Sequence, residues 1–240
     1  MIEIKLGTLI LIPVTLGSES HDMIPREVYT AIESLDHFVV ERVRTARRFI
    51  RQVSKTKNID QITFIELDKR GDNGTQVNQA IALLKAGKDL GLMSEAGVPC
   101  IADPGNILVA AAHQQNLKVH PLVGPSSILL ALMGSGMNGQ SFAFHGYLSV
   151  KKDQLAKELT NLESQSRKTG QTQLFMETPY RNDQLWEVAL KVLVPTTKLG
   201  FAADLTLPSE EISVKSVKEW KKNAKSSLHK RPTIFMLQAK

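Results

Sequence analysis

The 240-residue chain has a single cysteine, Cys100. No disulfide framework, cysteine-rich zinc site or iron–sulfur cluster can be built from one thiol. A reducing compartment, the cytoplasm, is therefore the expected setting. No apolar run approaches the ~20 residues that cross a bilayer; residues 9–14 amount to one strand. The opening Met-Ile-Glu-Ile-Lys lacks the basic stretch and cleavage site of a signal peptide. The histidines (His21, His37, His113, His120, His145 and His229) make no His-Glu-x-x-His spacing, so no metal is expected. There is no Gly-x-Ser-x-Gly elbow, and Cys100 has no base beside it in sequence. Hydrolysis through a nucleophile thus lacks support. No fixed-period repeat and no Gly/Ser linker interrupts the chain.

What is present is globular. The hydrophobic share is 42%, and 15 glycines add to it, so disorder and low-complexity repeats do not describe the chain. The length suits one large domain or two small ones, with a core that needs no staples. Thirty basic against 24 acidic residues give a net charge of +6. That balance permits a phosphate-rich partner without requiring one.

Short apolar runs alternate with amphipathic segments. Strands are expected at 8–13, 38–40, 62–67, 90–93 and 119–123, and helices at 25–35, 45–53, 75–86 and 105–115. The strand–helix–strand rhythm predicts parallel strands with crossover helices. The second half has the same rhythm in a looser form. Helices are expected at 126–133, 152–164 (with a polar tail to Gly170), 180–193 and 217–224, and strands at 142–145, 173–176, 199–203, 212–214 and 233–237. The best boundary lies at 121–124, giving α/β domains of residues 1–121 and 122–240.

Three turns, Asp103-Pro104, Gly124-Pro125 and Thr178-Pro179, place proline at or near the start of a helix. In an open parallel sheet such turns lie at the carboxyl ends of strands, where ligands bind, and free N–H groups there suit a carboxylate or phosphate. They also read as ordinary tight connections. The stretch 94–105, Ser-Glu-Ala-Gly-Val-Pro-Cys-Ile-Ala-Asp-Pro-Gly, is the most informative. Ser94, Ala96 and Gly97 are small and leave main chain uncovered, and Asp103 reads as a helix cap. A literal Gly-x-Gly-x-x-Gly at 134–139 follows a helix and enters a strand, the reverse of a dinucleotide fingerprint, so it reads as a helix stop.

Arg44, Arg47, Arg48 and Arg51 recur at i, i+3, i+4 and i+7, one helix face. Ala46, Phe49, Ile50 and Val53 repeat the spacing two residues on, which is the opposite side. The helix should pack by one side and show guanidinium forks, suited to phosphate, on the other; a plainly solvated basic face fits the same pattern. Lys215, Lys218, Lys221, Lys222 and Lys225 read as surface.

Taken together these segments resemble the tetrapyrrole methylase superfamily, and most closely its branch of small-subunit ribosomal RNA ribose 2′-O-methyltransferases. The residues that carry the likeness run in order: 12–17 (Ile-Pro-Val-Thr-Leu-Gly), 41–44 (Glu-Arg-Val-Arg), 94–105, 122–127 (Leu-Val-Gly-Pro-Ser-Ser), 177–181 (Glu-Thr-Pro-Tyr-Arg) and 203–206 (Ala-Asp-Leu-Thr). The resemblance implies an α/β fold of two domains with parallel or mixed sheets, and S-adenosylmethionine in the cleft between them. It also implies a homodimer. Cofactor residues would be Pro13, Ser94, Glu95, Ala96, Gly97, Val98, Ser126, Ser127, Met176 and Ala203. The donor's carboxylate would sit at the helix start by Ser126 and Ser127, and its adenine beside Met176, Ala203 and the last strand. A sulfonium is already activated, so the resemblance requires no metal. Glu41 and Glu177 are the candidate bases for a ribose hydroxyl, Arg44 the candidate phosphate holder, and Arg44, Arg47, Arg48 and Arg51 the face for RNA. Glu95, Val98, Arg42 and Ala203 stand where the branch has Asp, Thr, Asp and Arg. These departures leave two other readings open, a methyltransferase for a tetrapyrrole or other small molecule, and an RNA-binding relative without turnover.

Overall fold

The computed structural model describes residues 5–17, 21–68, 71–223 and 226–240. The opening residues 1–4, and Ala224 and Lys225 of the expected basic helix, lie outside them. The chain forms two compact units, Met1–Ser126 and Ser127–Lys240.

Unit 1 is built on five strands, β1 (Thr8–Leu11), β2 (His37–Val40), β3 (Thr63–Glu66), β4 (Leu90–Met93) and β5 (Lys118–Pro121). All its pairings are parallel, in the order β3-β2-β4-β1-β5. Helices α1 (Arg26–Ser34), α2 (Val43–Val53), α3 (Gly74–Lys85) and α4 (Asn106–Gln114) make the crossovers. Alternate strand residues feed two cores. Ile12, Phe38, Val40 and Met93 pack with α1 and α2, while Leu9, Val39, Leu90 and Leu92 pack with α3 and α4. Period-2 alternation thus covers both faces of the sheet. Gly91 is required by closeness: a Cβ there would lie 2.7 Å from Ile12 Cδ1 and 2.8 Å from Phe38 Cδ1.

This strand order fixes where a ligand can enter. The chain leaves β1 toward β2 and leaves adjacent β4 toward β5, so the two connections depart in opposite directions and onto opposite faces. Such a reversal opens a crevice beyond the carboxyl ends of β1 and β4.

Unit 2 opens with α5 (Ser127–Ser135) and holds strands β6 (Phe142–Tyr147), β7 (Thr172–Met176), β8 (Lys198–Ala203), β9 (Glu211–Ser216) and β10 (Thr233–Gln238), in the order β6-β7-β10-β8-β9. Only β6 and β7 are parallel; β10 is antiparallel to β7 and β8, and β9 to β8. The second half is therefore mixed rather than a copy of the first. The short link from β8 to β9 holds no helix, and such links join antiparallel strands. Helices α6 (Lys152–Thr169), α7 (Asn182–Val192) and the one-turn α8 (Val217–Trp220) cover one face, with Leu159, Trp186, Phe201, Phe235 and Trp220 in its core.

Three expectations are revised. The polar tail 165–169 continues α6, because Ser166 is fully buried and links Gln171 O to the Ala239 N–H. The basic helix shrinks to α8, nucleated by a Ser216–Glu219 capping box, so its lysines share no helix face: Lys215 lies in β9, Lys218 in α8, and Lys221 and Lys222 beyond it. The N-cap position of α4 is Gly105, at φ +127°, and not the expected Asp103. The glycine-rich 134–139 ends α5 as expected, with Gly136 at φ +64°.

Candidate functional site

The loops beyond β1 and β4 are tied together. The Val14 N–H donates to Gly97 O at 2.9 Å, and the Gly97 N–H to Thr15 O at 3.3 Å. Gly97 holds φ +68°, and a Cβ on it would meet Leu16 Cδ2 at 2.9 Å and the Pro125 carbonyl at 3.2 Å. Its missing side chain therefore makes room for neighbouring chain, not for a ligand. Pro13, buried, lies where a Cβ on Gly124 would collide with it at 2.2 Å. Ser94 is also buried; the exposed part of the loop is Glu95 and Ala96, with Val98 half-buried. Cys100 (φ 69°) and Ala102 (φ 63°) take left-handed conformations, which cost non-glycine residues about 1–2 kcal/mol each. The Cys100 thiol is pushed up to about 11, first by burial and then by the Asp103 carboxylate.

Glu41, at the end of β2, is buried and accepts the Glu95 N–H at 3.3 Å. Glu95 in turn accepts from Thr45 Oγ1 at 3.0 Å. Glu66, on β3, accepts the Val43 N–H at 2.8 Å and so caps α2 from a neighbouring strand. Neither Glu66 nor Thr45 was flagged by spacing; their bonds span 23 and 50 residues.

α2 carries the two opposed faces that the sequence announces, with Ala46, Phe49 and Ile50 buried and Arg44, Arg48 and Arg51 exposed. Arg47, at one margin of the basic face, is paired with Asp60. At about 100° per residue, Arg44 and Arg51 hold the middle of that face and Arg48 the other margin. Between Arg48 and the apolar stripe runs a third, narrow stripe of Thr45 and Gln52. Together Thr45, Arg48 and Gln52 stand at i, i+3 and i+7, a spacing the sequence does show. They line a cavity of about 160 Å³ with Thr15, Ser94 and Glu95, walled by Val14 and Phe49. Ser94 Oγ is buried without a hydrogen-bond partner.

In unit 2, Glu177 follows β7 and is buried. Its Oε1 accepts the Thr178 N–H and an Arg181 N–H, each at 2.6 Å. That bond raises the Arg181 guanidinium above its ordinary value, burial opposing it and the Glu177 charge adding to it. Met176 ends β7 half-buried, opposite Ile234. Ala203 ends β8 with 0% exposure, in the aromatic core. Ser127 opens α5, where the first amides lack helical acceptors, and Ser126 precedes it at the end of unit 1. The structure thus assembles Pro13, Glu41 and 94–98 around two tied loops in unit 1, leaves Arg44 exposed on α2, and separately sets Glu177 and Met176 at the end of one strand in unit 2. Among the described residues no group of three or more His, Cys, Asp or Glu could hold a metal ion, and no helix is long and apolar enough to cross a membrane.

The model of the tetrapyrrole (corrin/porphyrin) methylases matches residues 8–220. The chain belongs to this family. Its relatives include proteins named ribosomal RNA small subunit methyltransferase I. The one from Synechocystis sp. is 31% identical over 73% of this chain and 59% of its own length. The one from Vibrio cholerae is 30% identical over 85% of this chain and 67% of its own length. The chain therefore spans about three-fifths to two-thirds of these family members. Among solved structures, the methyltransferase CobJ aligns with a TM-score of 0.62 at 16% identity, over 96% of this chain and 93% of that one; at that identity the likeness shows the fold alone.

Proposed function

We propose that the chain is an S-adenosylmethionine-dependent methyltransferase acting on ribosomal RNA at a ribose 2′-hydroxyl. The observation that carries this reading is the pair of tied loops at the carboxyl ends of β1 and β4, set where the sheet reverses, in a chain of this family. The names of its relatives support the RNA substrate.

The residues present suit the donor's chemistry. The exposed residues Glu95 and Ala96, over the buried Pro13, Ser94 and Gly97 and beside Val98, suit its polar parts. The amides that open α5, after Ser126 and at Ser127, suit its carboxylate. Met176 offers an apolar wall to the adenine, and the fully buried Ala203 backs that part of unit 2 from the core. When bound, the group supplies a methyl on a positively charged sulfur, ready for transfer.

The chain's own contribution is positioning and proton handling. A ribose hydroxyl attacks well only as its proton leaves, and Glu41 would take that proton. Arg44, exposed one turn away, would hold a flanking phosphate, with Arg48 and Arg51 extending the basic face and Arg47 bracing it through Asp60. Glu177 is engaged with Arg181 and would shape its turn rather than take a proton. The resemblance adds a homodimer and a cytoplasmic setting; light scattering checks the first.

Calorimetry with S-adenosylmethionine and its demethylated product, then transfer of labelled methyl to small-subunit RNA and particles, test the reading. Binding with label at an alkali-resistant linkage is expected. Binding with no label on any RNA would remove the RNA part, and no binding would remove the enzyme.

A further inference from the structure

The cavity on α2 shares Ser94 and Glu95 with the loop assigned to the methyl donor, and its α2 side is lined for recognition. It lies within unit 1, and its wall alternates donors and acceptors: the Arg48 guanidinium, the Gln52 amide, the Glu95 carboxylate and the Ser94 hydroxyl. Ser94 is 7% exposed and its Oγ finds no partner in the chain. A buried hydroxyl without a partner costs about 1–3 kcal/mol, and a ligand atom would recover part of it. Val14 and Phe49 give the cavity apolar sides.

The chemistry selects among ligands. A phosphate would meet the Glu95 carboxylate, held in the wall by Thr45 at 3.0 Å, and like charges repel. An apolar group would leave the buried Ser94 hydroxyl without a partner. An uncharged planar ring with donors and acceptors along its edge satisfies both the mixed wall and the apolar sides. Unstacked nucleobases are read in this way, by edge hydrogen bonds and by contact with guanidinium or aromatic faces. The exposed Arg44 and Arg51 on the same helix suit the phosphates of the strand that carries such a base.

We propose that the cavity formed by Thr45, Arg48, Gln52, Ser94 and Glu95 receives one unstacked base of the RNA substrate. The proposal rests on the reading of the chain as an RNA methyltransferase, and gives that enzyme a direct base contact beside the donor loop.

The test uses the full chain, a short RNA that it methylates, and copies of that RNA with a single abasic position moved along the strand. Gln52→Leu and Thr45→Val remove edge contacts at half-buried helix positions, where folding is expected to persist and is checked by circular dichroism. Each should raise the KM for RNA about tenfold, the worth of about 1.4 kcal/mol, with kcat changed less and the Kd for S-adenosylmethionine within twofold of the parent. One abasic position should cost the parent protein a similar factor and cost Gln52→Leu almost nothing, because base and side chain then form one interaction. Unchanged KM in both variants, or an abasic penalty of equal size in parent and variant, would overturn the base pocket while leaving the methyltransferase intact. A parent chain that binds the donor but labels no RNA would overturn both.

Discussion

Glu41 and Glu177 are equally buried, each 6% exposed, and each stands just past a strand in its own unit, yet they are held in opposite ways. Glu177 closes on its own turn, accepting from the next residue's amide and from Arg181 four residues on. Glu41 reaches across the sheet to the Glu95 amide, 54 residues away. The first carboxylate braces a local turn with a full positive charge. The second joins two strand ends at the rim where unit 1 opens. Burial alone therefore does not mark a functional carboxylate; what it is tied to decides.

The largest expected effect separates the two by activity. Glu41→Gln keeps the hydrogen bond from Glu95 and removes the base, so kcat should fall about 10²- to 10⁴-fold, with the Kd for the donor little changed. Glu177→Gln should lower kcat less than tenfold. Single-turnover methyl transfer checks both. Equal losses in the two variants would erase the distinction.

The second effect is on stability. Gly97→Ala forces a left-handed alanine against Leu16 and the Pro125 carbonyl; strain and displaced packing should cost about 2–3 kcal/mol. Arg181→Met leaves the Glu177 carboxylate buried without its guanidinium. Because Arg181 is about one-third exposed, that cost should be smaller, about 1–2 kcal/mol. Urea midpoints measured for both would reverse the ranking if the β7 turn were the stiffer of the two.

How much of this could be read from the residues also divides along local and non-local lines. The strand–helix alternation was legible because period 2 and period 3.6 are written in the order of residues, and the two faces of α2 followed from eight positions of one helix. The Glu177–Arg181 pair sits within a single turn. The Glu66 cap on α2, the Thr45–Glu95 bond and the Glu41–Glu95 bond join residues 23, 50 and 54 apart, and nothing in local spacing marks them. The mixed sheet of unit 2 was blurred for a related reason: its strands are apolar whichever way they run, and only the short link from β8 to β9 carries the direction. Gly97 looked like an opening for a ligand because its type says only that a side chain is missing. What fills the space comes from Leu16 and Pro125.

The smallest effect concerns Cys100, on the loop that Glu41 helps to anchor. With its thiol held up to about 11, against about 8.5 for a free cysteine, the thiolate share at pH 8 should be roughly a hundredfold below that of an exposed thiol, and alkylation by iodoacetamide slower by at least that factor. The sign for stability follows from the same displacement. The fold favours the neutral thiol, so its contribution is complete below the unfolded value and is lost as pH rises toward 11. Glu41→Ala, which removes the Glu95 anchor, should loosen the loop and speed alkylation at pH 8, whereas Glu177→Ala in the other unit should not. Matching acceleration in the two variants would mean that the loop answers to general stability and that the tie to Glu41 has no separate role.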